Sequence, residues 1–460
     1  MEAHPYIPNS LERVKREMLK YIGVSSIDDL YSSIPEEIKF KGSMNLPKPL
    51  KSEYELVRHV KGILAKNISC DEYLCFKGGG TWPHYVPAIC DEIAKRAEFL
   101  TAYAGDPYED HGRWQALFEF ESLMAELVDM DVVTVPIYSW GHAAGTAMRM
   151  AHRINGRREV LIPRTISPER FLVVQNYVDP ALKLIKVDYD PETGMIDLND
   201  LERKISRDTA AVYFENPSYL GFIETRGKEI CDIAHEKGSI CIVGVDPSSL
   251  GVLEPPSHYG ADITVGDLQP LGVHMNFGGG LGGFLATRDE ETFVREIPYR
   301  IFGLAKTSFE GEYGFGDVLF ERTSFEKREK AKEFVGTAAA SHGIIAAVYL
   351  SLMGPKGMYE LGKAILQRSQ YAIKLLSKIS GVRAPKFKAP HFKEFVVEFD
   401  SKKSVNEINK ELLKEGIFGG IDLRKHFPEL GNSALFCFTE VHTKEDIERL
   451  AGAIERIVGR

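Results

Sequence analysis

Two positions in this 460-residue chain pose the chemical question, Asp246 and Gln269. Asp246 follows the apolar run Ile240 to Val245, which reads as a buried parallel strand. The Asp therefore falls at a strand's carboxyl end, the edge where open α/β sheets hold ligands. It begins Asp-Pro-Ser-Ser-Leu-Gly; Gly266-Asp-Leu-Gln-Pro and the glycine run Gly278-Gly-Gly-Leu-Gly-Gly come next. An Asp so placed, with a lysine roughly 20–25 residues on in a turn before glycines, would suit pyridoxal phosphate (PLP). The carboxylate would pair with the pyridinium nitrogen and the lysine would form the Schiff base. Gln269 stands where that lysine is expected. An amide forms no Schiff base, so no catalytic residue is assigned to this chain. Lys306, the next lysine, lies too far along for the usual turn.

The elements that must position these residues alternate along the chain. Val132 to Tyr138, Glu159 to Ile162, Leu182 to Val187, Ala210 to Phe214 and Phe284 to Thr287 read as strands. Asp197 with Asp200 caps a helix, and another from Lys228 to Lys237 stops at Gly238. Such alternation predicts a mostly parallel sheet covered by helices on both faces. Gly141-His-Ala-Ala-Gly-Thr opens a helix after the first strand. Its glycines and His142 suit either an anion at a helix N-terminus or close packing of helix on sheet. His274, beside another glycine-rich turn, is a further candidate for touching an anion. His84 and Tyr85 read as packing or hydrogen-bonding groups, and Gly78 to Gly80 as a place of close backbone approach. The strand at 210 ends in Glu215-Asn-Pro-Ser-Tyr-Leu-Gly, a turn at the same ligand edge.

Before this alternation come helical arms with little core. Asn9 with Glu12 resembles a capping box ahead of Leu11, Val14, Met18 and Ile22, and Gly23 ends that helix. A short helix is expected from Ser26 to Tyr31. Ser52 with Glu55 caps another helix carrying Leu56, Val60, Ile63 and Leu64. After the strands, the segment 289–333 reads as irregular. A helix from Phe334 to Leu352 is expected to end before Gly354-Pro355. A smaller α+β region follows, with a helix before Gly381, strands His391 to Phe399 and Ala434 to Thr439, and helices Val405 to Lys414 and Lys444 to Val458. The predicted domains are 1–70, a helical arm; 71–345, a large α/β domain; and 346–460, a small C-terminal α+β domain.

Net charge is -9, which argues against a nucleic-acid or anionic-membrane surface. No apolar run approaches the roughly 20 residues that span a bilayer, and the N-terminus lacks a signal-peptide pattern. A cytoplasmic location is expected. The six cysteines form no CxxC and read as reduced thiols, with no metal site.

This architecture, with an Asp at a strand end, resembles the aspartate-aminotransferase-like PLP fold (fold type I). Almost the whole chain resembles subunit 1, the alpha chain, of the two-chain glycine dehydrogenase (decarboxylating), the P-protein of the glycine cleavage system. The strings that carry this include Tyr6-Ile-Pro, Ile22-Gly-Val-Ser-Ser-Ile-Asp, Ser52-Glu-Tyr-Glu-Leu, His84-Tyr-Val-Pro-Ala, Gln115-Ala-Leu-Phe-Glu, Gly354-Pro-Lys-Gly and Gly419-Gly-Ile-Asp-Leu.

The resemblance implies that the catalytic lysine and PLP belong to subunit 2, and that Asp246, Gly141, His142 and His274 are vestigial here. It implies a heteromer that decarboxylates glycine and passes the aminomethyl group to the lipoyl arm of H-protein. Departures from the family pattern lie at Tyr108-Glu-Asp-His-Gly, which contains His111, at Ser139-Trp-Gly-His-Ala, at Ser167 and at Arg328-Glu-Lys-Ala. They leave room for a diverged paralogue serving as a binding or scaffold protein; the other alternative is a self-sufficient PLP enzyme using another lysine such as Lys306.

Overall fold

A computed structural model describes residues 7, 10–99, 111–275, 282–333 and 339–459. The chain divides into two units, Met1–Ile68 and Ser69–Arg460.

The first unit contains the helices Glu12–Ile22 and Glu53–Leu64 with a 3-10 turn, Asp28–Tyr31, between them. Gly23, in the left-handed region, closes the first helix. Leu11 is at its N-cap without a side-chain bond, and Asn9 lies outside the described residues. The Ser52 hydroxyl accepts from Glu55 N at the second helix, as the spacing predicts. None of this unit's described residues is buried.

The second unit is built on a seven-stranded sheet. Its order is Val132–Val133, Gly283–Thr287, Ile263–Asp267, Ile240–Val245, Thr209–Glu215, Glu159–Pro163, Lys183–Val187. The last five are mutually parallel, and the first two add antiparallel pairs at one edge. Alternation along each strand feeds two cores. Val160, Tyr213, Ile242 and Val265 join one with Ala144 and Ala147 of the helix Trp140–Asn155. Leu161, Phe214, Val243 and Phe284 join the other with Ile230 of the helix Gly227–Glu236. The sheet is thus covered on both faces and holds its ligand edge rigid.

A four-stranded antiparallel sheet, Val382–Arg383, Glu394–Phe399, Ser433–Cys437 and Ile421–Asp422, packs with the helices Val405–Lys414 and Lys444–Val458. Ser404 and Thr443 form capping boxes at those helices. The helix Ala340–Leu376 is broken at Gly354 (φ 59°, ψ -178°), where Pro355 cannot continue the hydrogen-bond ladder. Residues 334–338, where that helix was expected to begin, lie outside the described residues, as does the glycine run 278–280.

Three expectations are corrected. The strand expected over Val132 to Tyr138 pairs only at Val132–Val133, because Pro136 lacks an N–H for the ladder; contact resumes as one bridge, Ile137 to Gly283. Within 289–333 lies a regular hairpin, Phe302–Lys306 with Tyr313–Asp317. Cys231 and Cys241 are joined as a disulfide between neighbouring helix and strand, not left as thiols. No helix of the described residues is long and apolar enough to cross a membrane.

Candidate functional site

The sheet delivers Glu215, Asp246 and Asp267 to one edge, each at or just after the carboxyl end of its strand. Asp246 caps the short turn Pro247–Gly251: its Oδ1 accepts from Ser248 N at 3.0 Å and from Ser248 Oγ at 2.8 Å. Its other oxygen, Oδ2, lies 2.5 Å from Lys393 Nζ. Both side chains are almost fully buried, at 5% and 2% exposure. Lys393 comes from much later in the chain, immediately before the strand Glu394–Phe399. Its ammonium also sits 3.5 Å from the Trp82 ring centroid, 3.1 Å from His84 Nε2 and 3.4 Å from Ser248 Oγ. His84 Nδ1 lies 2.9 Å from Glu440 Oε2. The tautomer with the proton on Nδ1 satisfies both contacts, donating to Glu440 and accepting from Lys393. Burial raises the Glu440 carboxyl, but the His84 ring and Tyr85 N–H outweigh it and bring it to about 2. Asp246, Lys393, His84 and Glu440 thus form one buried chain of polar contacts, in which Lys393 compensates Asp246.

Gln269 is where the sequence puts it, in the turn after Ile263–Asp267, and it is 1% exposed. Its Oε1 accepts from Trp82 N at 3.1 Å, and its Nε2 donates to Trp82 O at 3.0 Å and Val273 O at 3.1 Å. The amide therefore pairs with Trp82 as a strand neighbour would, and fixes the indole over Lys393. A lysine has no acceptor and could not make this contact.

A second buried ion pair walls the site. Arg170 donates to Glu215 through Nε and Nη2, both at 2.7 Å, and stacks 4.1 Å from the Trp140 ring centroid. Trp140 Nε1 donates to Tyr213 OH, which donates to Glu215 Oε1. A Cβ on Gly244 would lie 2.6 Å from Trp140 Nε1, so this glycine admits the indole. Two more carboxyls lie close by. Asp267 accepts from Gln269 N, Glu394 accepts from Gly79 N, and burial pushes each up to about 7.

The remaining sequence candidates fall outside this cluster. His142 is buried on the helix Trp140–Asn155, stacked on Tyr138 and edge-on to Tyr177 and Tyr299. Burial lowers its basicity. Gly141 serves packing: a Cβ there would stand 3.0 Å from Val173 Cβ. Ser139 caps its own helix, accepting from His142 N, and Ser167 caps the helix Pro168–Val178. His274 is exposed and pairs with Asp91. Lys306 is exposed on the hairpin, and His111 has no described side chain. Trp82, Trp140, Arg170, Lys393 and Glu394 escaped the sequence reading. The one signal for Lys393 is a lysine among the aromatics of the run His391 to Phe399.

These residues do not fit PLP. The carboxylate expected to meet a ring nitrogen is already paired with Lys393, the residue at the expected Schiff-base position is an amide engaged with Trp82, and Trp82 and Trp140 line what space remains. The space left between Trp82, Trp140, Arg170, Tyr219, Asp246 and Lys393 is about 10 Å³, room for about one water.

The family model for the glycine cleavage system P-protein matches residues 4–454. The chain belongs to that family. It is 40% identical over 470 residues to a probable glycine dehydrogenase (decarboxylating) subunit 1 from Staphylothermus marinus, covering 100% of this chain and 99% of the relative. The protein of the same description from Sulfurisphaera tokodaii is 43% identical over 464 residues, covering 99% of each. Among solved structures, an inhibitor-bound glycine decarboxylase (P-protein) of the glycine cleavage system superposes with a TM-score of 0.86 at 32% identity, covering 99% of this chain and 100% of that one. A sphingosine-1-phosphate lyase from Burkholderia pseudomallei, at 15% identity and a TM-score of 0.66, shares the fold. The fold is the aspartate-aminotransferase-like, PLP type I fold that the sequence suggested, and PLP is the cofactor of that family.

Proposed function

We propose that this chain is the subunit of a two-chain glycine decarboxylase that does not anchor the cofactor. It supports removal of carbon dioxide from glycine and transfer of the aminomethyl group to the lipoyl arm of H-protein. PLP and the reactive lysine then belong to a paralogous partner chain. This chain contributes assembly and rigid walls.

One observation carries the reading: where the sequence pattern leads one to expect a Schiff-base lysine stands Gln269, engaged with Trp82, while Asp246 is paired internally with Lys393. The full-length likeness to relatives described as subunit 1 supports the division of labour. The test is glycine-dependent exchange of labelled bicarbonate with each chain alone and with both, in the presence of PLP and lipoylated H-protein. Exchange should require both chains. Exchange by this chain alone would overturn the reading and favour a self-sufficient enzyme.

A further inference from the structure

The cofactor misfit has a positive side, because the Asp246 carboxylate is not simply left over. A buried carboxylate without a counter-ion is costly, and this one has a counter-ion supplied by the chain. The residue that supplies it is held against its own backbone preference. Lys393 has φ 42°, in the left-handed region that a long side chain enters only when its surroundings fix it. Those surroundings are built. Phe392 N donates to Gly221 O, and Phe438 N donates to Lys393 O. A Cβ on Gly221 would lie 2.0 Å from Glu394 O, and one on Gly78 would lie 2.0 Å from Glu394 Oε1. Two glycines thus let two loops close onto the Phe392–Glu394 segment and aim its lysine at Asp246. The Trp82 face, 3.5 Å from the ammonium, adds an aromatic surface suited to an organic cation.

We propose that the Lys393 ammonium is a tethered stand-in for the ring cation of PLP. It occupies the place beside Asp246 that a pyridinium would take, and so closes this chain's strand-end site to the cofactor. Shortening the side chain exposes a latent site for an organic cation, formed by Asp246 and the Trp82 face. The proposal rests on the reading of this chain as the half without cofactor, but it fails by a different experiment.

That experiment uses the full chain and two probes. One is n-propylammonium, which replaces the deleted end of the side chain. The other is pyridoxine 5′-phosphate, which carries the ring nitrogen but no aldehyde and so labels no surface lysine. The wild-type chain should bind neither probe by calorimetry. Lys393→Ala should melt at a lower temperature and recover saturably with n-propylammonium. It should bind pyridoxine 5′-phosphate saturably, at least about tenfold more tightly than the detection limit that bounds wild type, as expected for one charged hydrogen bond. Both gains should vanish in the double variant Lys393→Ala, Asp246→Asn. Saturable binding of pyridoxine 5′-phosphate by wild type would overturn the proposal, and this arm stands even if the alanine variant does not fold. Equal responses with and without Asp246, or none from a folded Lys393→Ala, would also overturn it. Either failure leaves the two-chain requirement for bicarbonate exchange to be judged separately.

Discussion

The N-terminal unit and the strand-end site treat water in opposite ways. The described residues of the N-terminal unit expose apolar side chains on its helices: Tyr21 is 95% exposed, Leu64 56% and Ile22 54%. The strand-end site buries charges and satisfies them internally, with Lys393 on Asp246 and Arg170 on Glu215. An exposed apolar stripe on a helix gains free energy only by finding another surface. A compensated buried ion pair has no such need. On the proposed reading, the arm is the part that seeks a partner surface, and the strand-end site is the part that needs none.

The contrast breaks most visibly at assembly. Deleting residues 1–50 should abolish co-purification with the partner chain, since an obligate interface of this kind buries more than about 2,000 Å². The melting temperature of the remaining chain should change little. A tagged, co-expressed pair with and without the deletion decides it, and retained co-purification would remove the arm from the interface.

At the other region, Lys393→Met should destabilise the chain by about 3–5 kcal/mol, because it strands a buried carboxylate. Asp246→Asn should cost a similar amount. The double variant should regain much of the loss, a coupling measured by denaturant titration of all four proteins. Additive losses would mean the two groups do not form a pair.

Gln269→Lys is the smaller perturbation. It deprives Trp82 N–H of its acceptor, at about 1–3 kcal/mol, and it leaves Asp246 still paired with Lys393. It should therefore not restore decarboxylation in this chain. Bicarbonate exchange by the single chain carrying that substitution would show the site to be nearer to function than its packing indicates.

The smallest effect is a pH dependence. Burial raises the Glu394 and Asp267 carboxyls to about 7, so between about pH 4 and 7 the folded chain holds protons that the unfolded chain has released. Their contribution to stability is fully present below their ordinary range and is lost as pH rises through 7. Glu440, held at about 2, acts in the other sense and loses its contribution only as pH falls toward 2. Glu394→Gln keeps an acceptor for Gly79 N–H and should melt above wild type at pH 8, with the gap closing toward pH 4.5. An unchanged gap across that range would place the Glu394 titration elsewhere.

Much of the scaffold was legible because it is written locally. The apolar run Ile240 to Val245 placed Asp246 at the strand end, and the helices Val405–Lys414 and Lys444–Val458 stand at their expected bounds. The site was less legible because its contacts are not local. Nothing near Lys393 announces that it faces Asp246, and a lysine is normally expected at the surface. Gln269 could be read as a missing amine, but not as the clamp on Trp82, whose partner atoms lie far away in sequence. Gly141 left anion binding and close packing both open, and only Val173 across the helix pair accounts for it. The hairpin Phe302–Lys306 with Tyr313–Asp317 escaped notice because Gly303, Gly314 and Gly316 dilute its alternation.

The central claim is that this chain, though folded like a PLP enzyme, leaves the cofactor to its partner. It is tested most directly by assembling both chains with PLP, reducing with borohydride and mapping pyridoxyl-lysine peptides on each. The account predicts one stoichiometric pyridoxyl-lysine on the partner chain and none here. A stoichiometric pyridoxyl group on Lys393, Lys306 or any other lysine of this chain would contradict it.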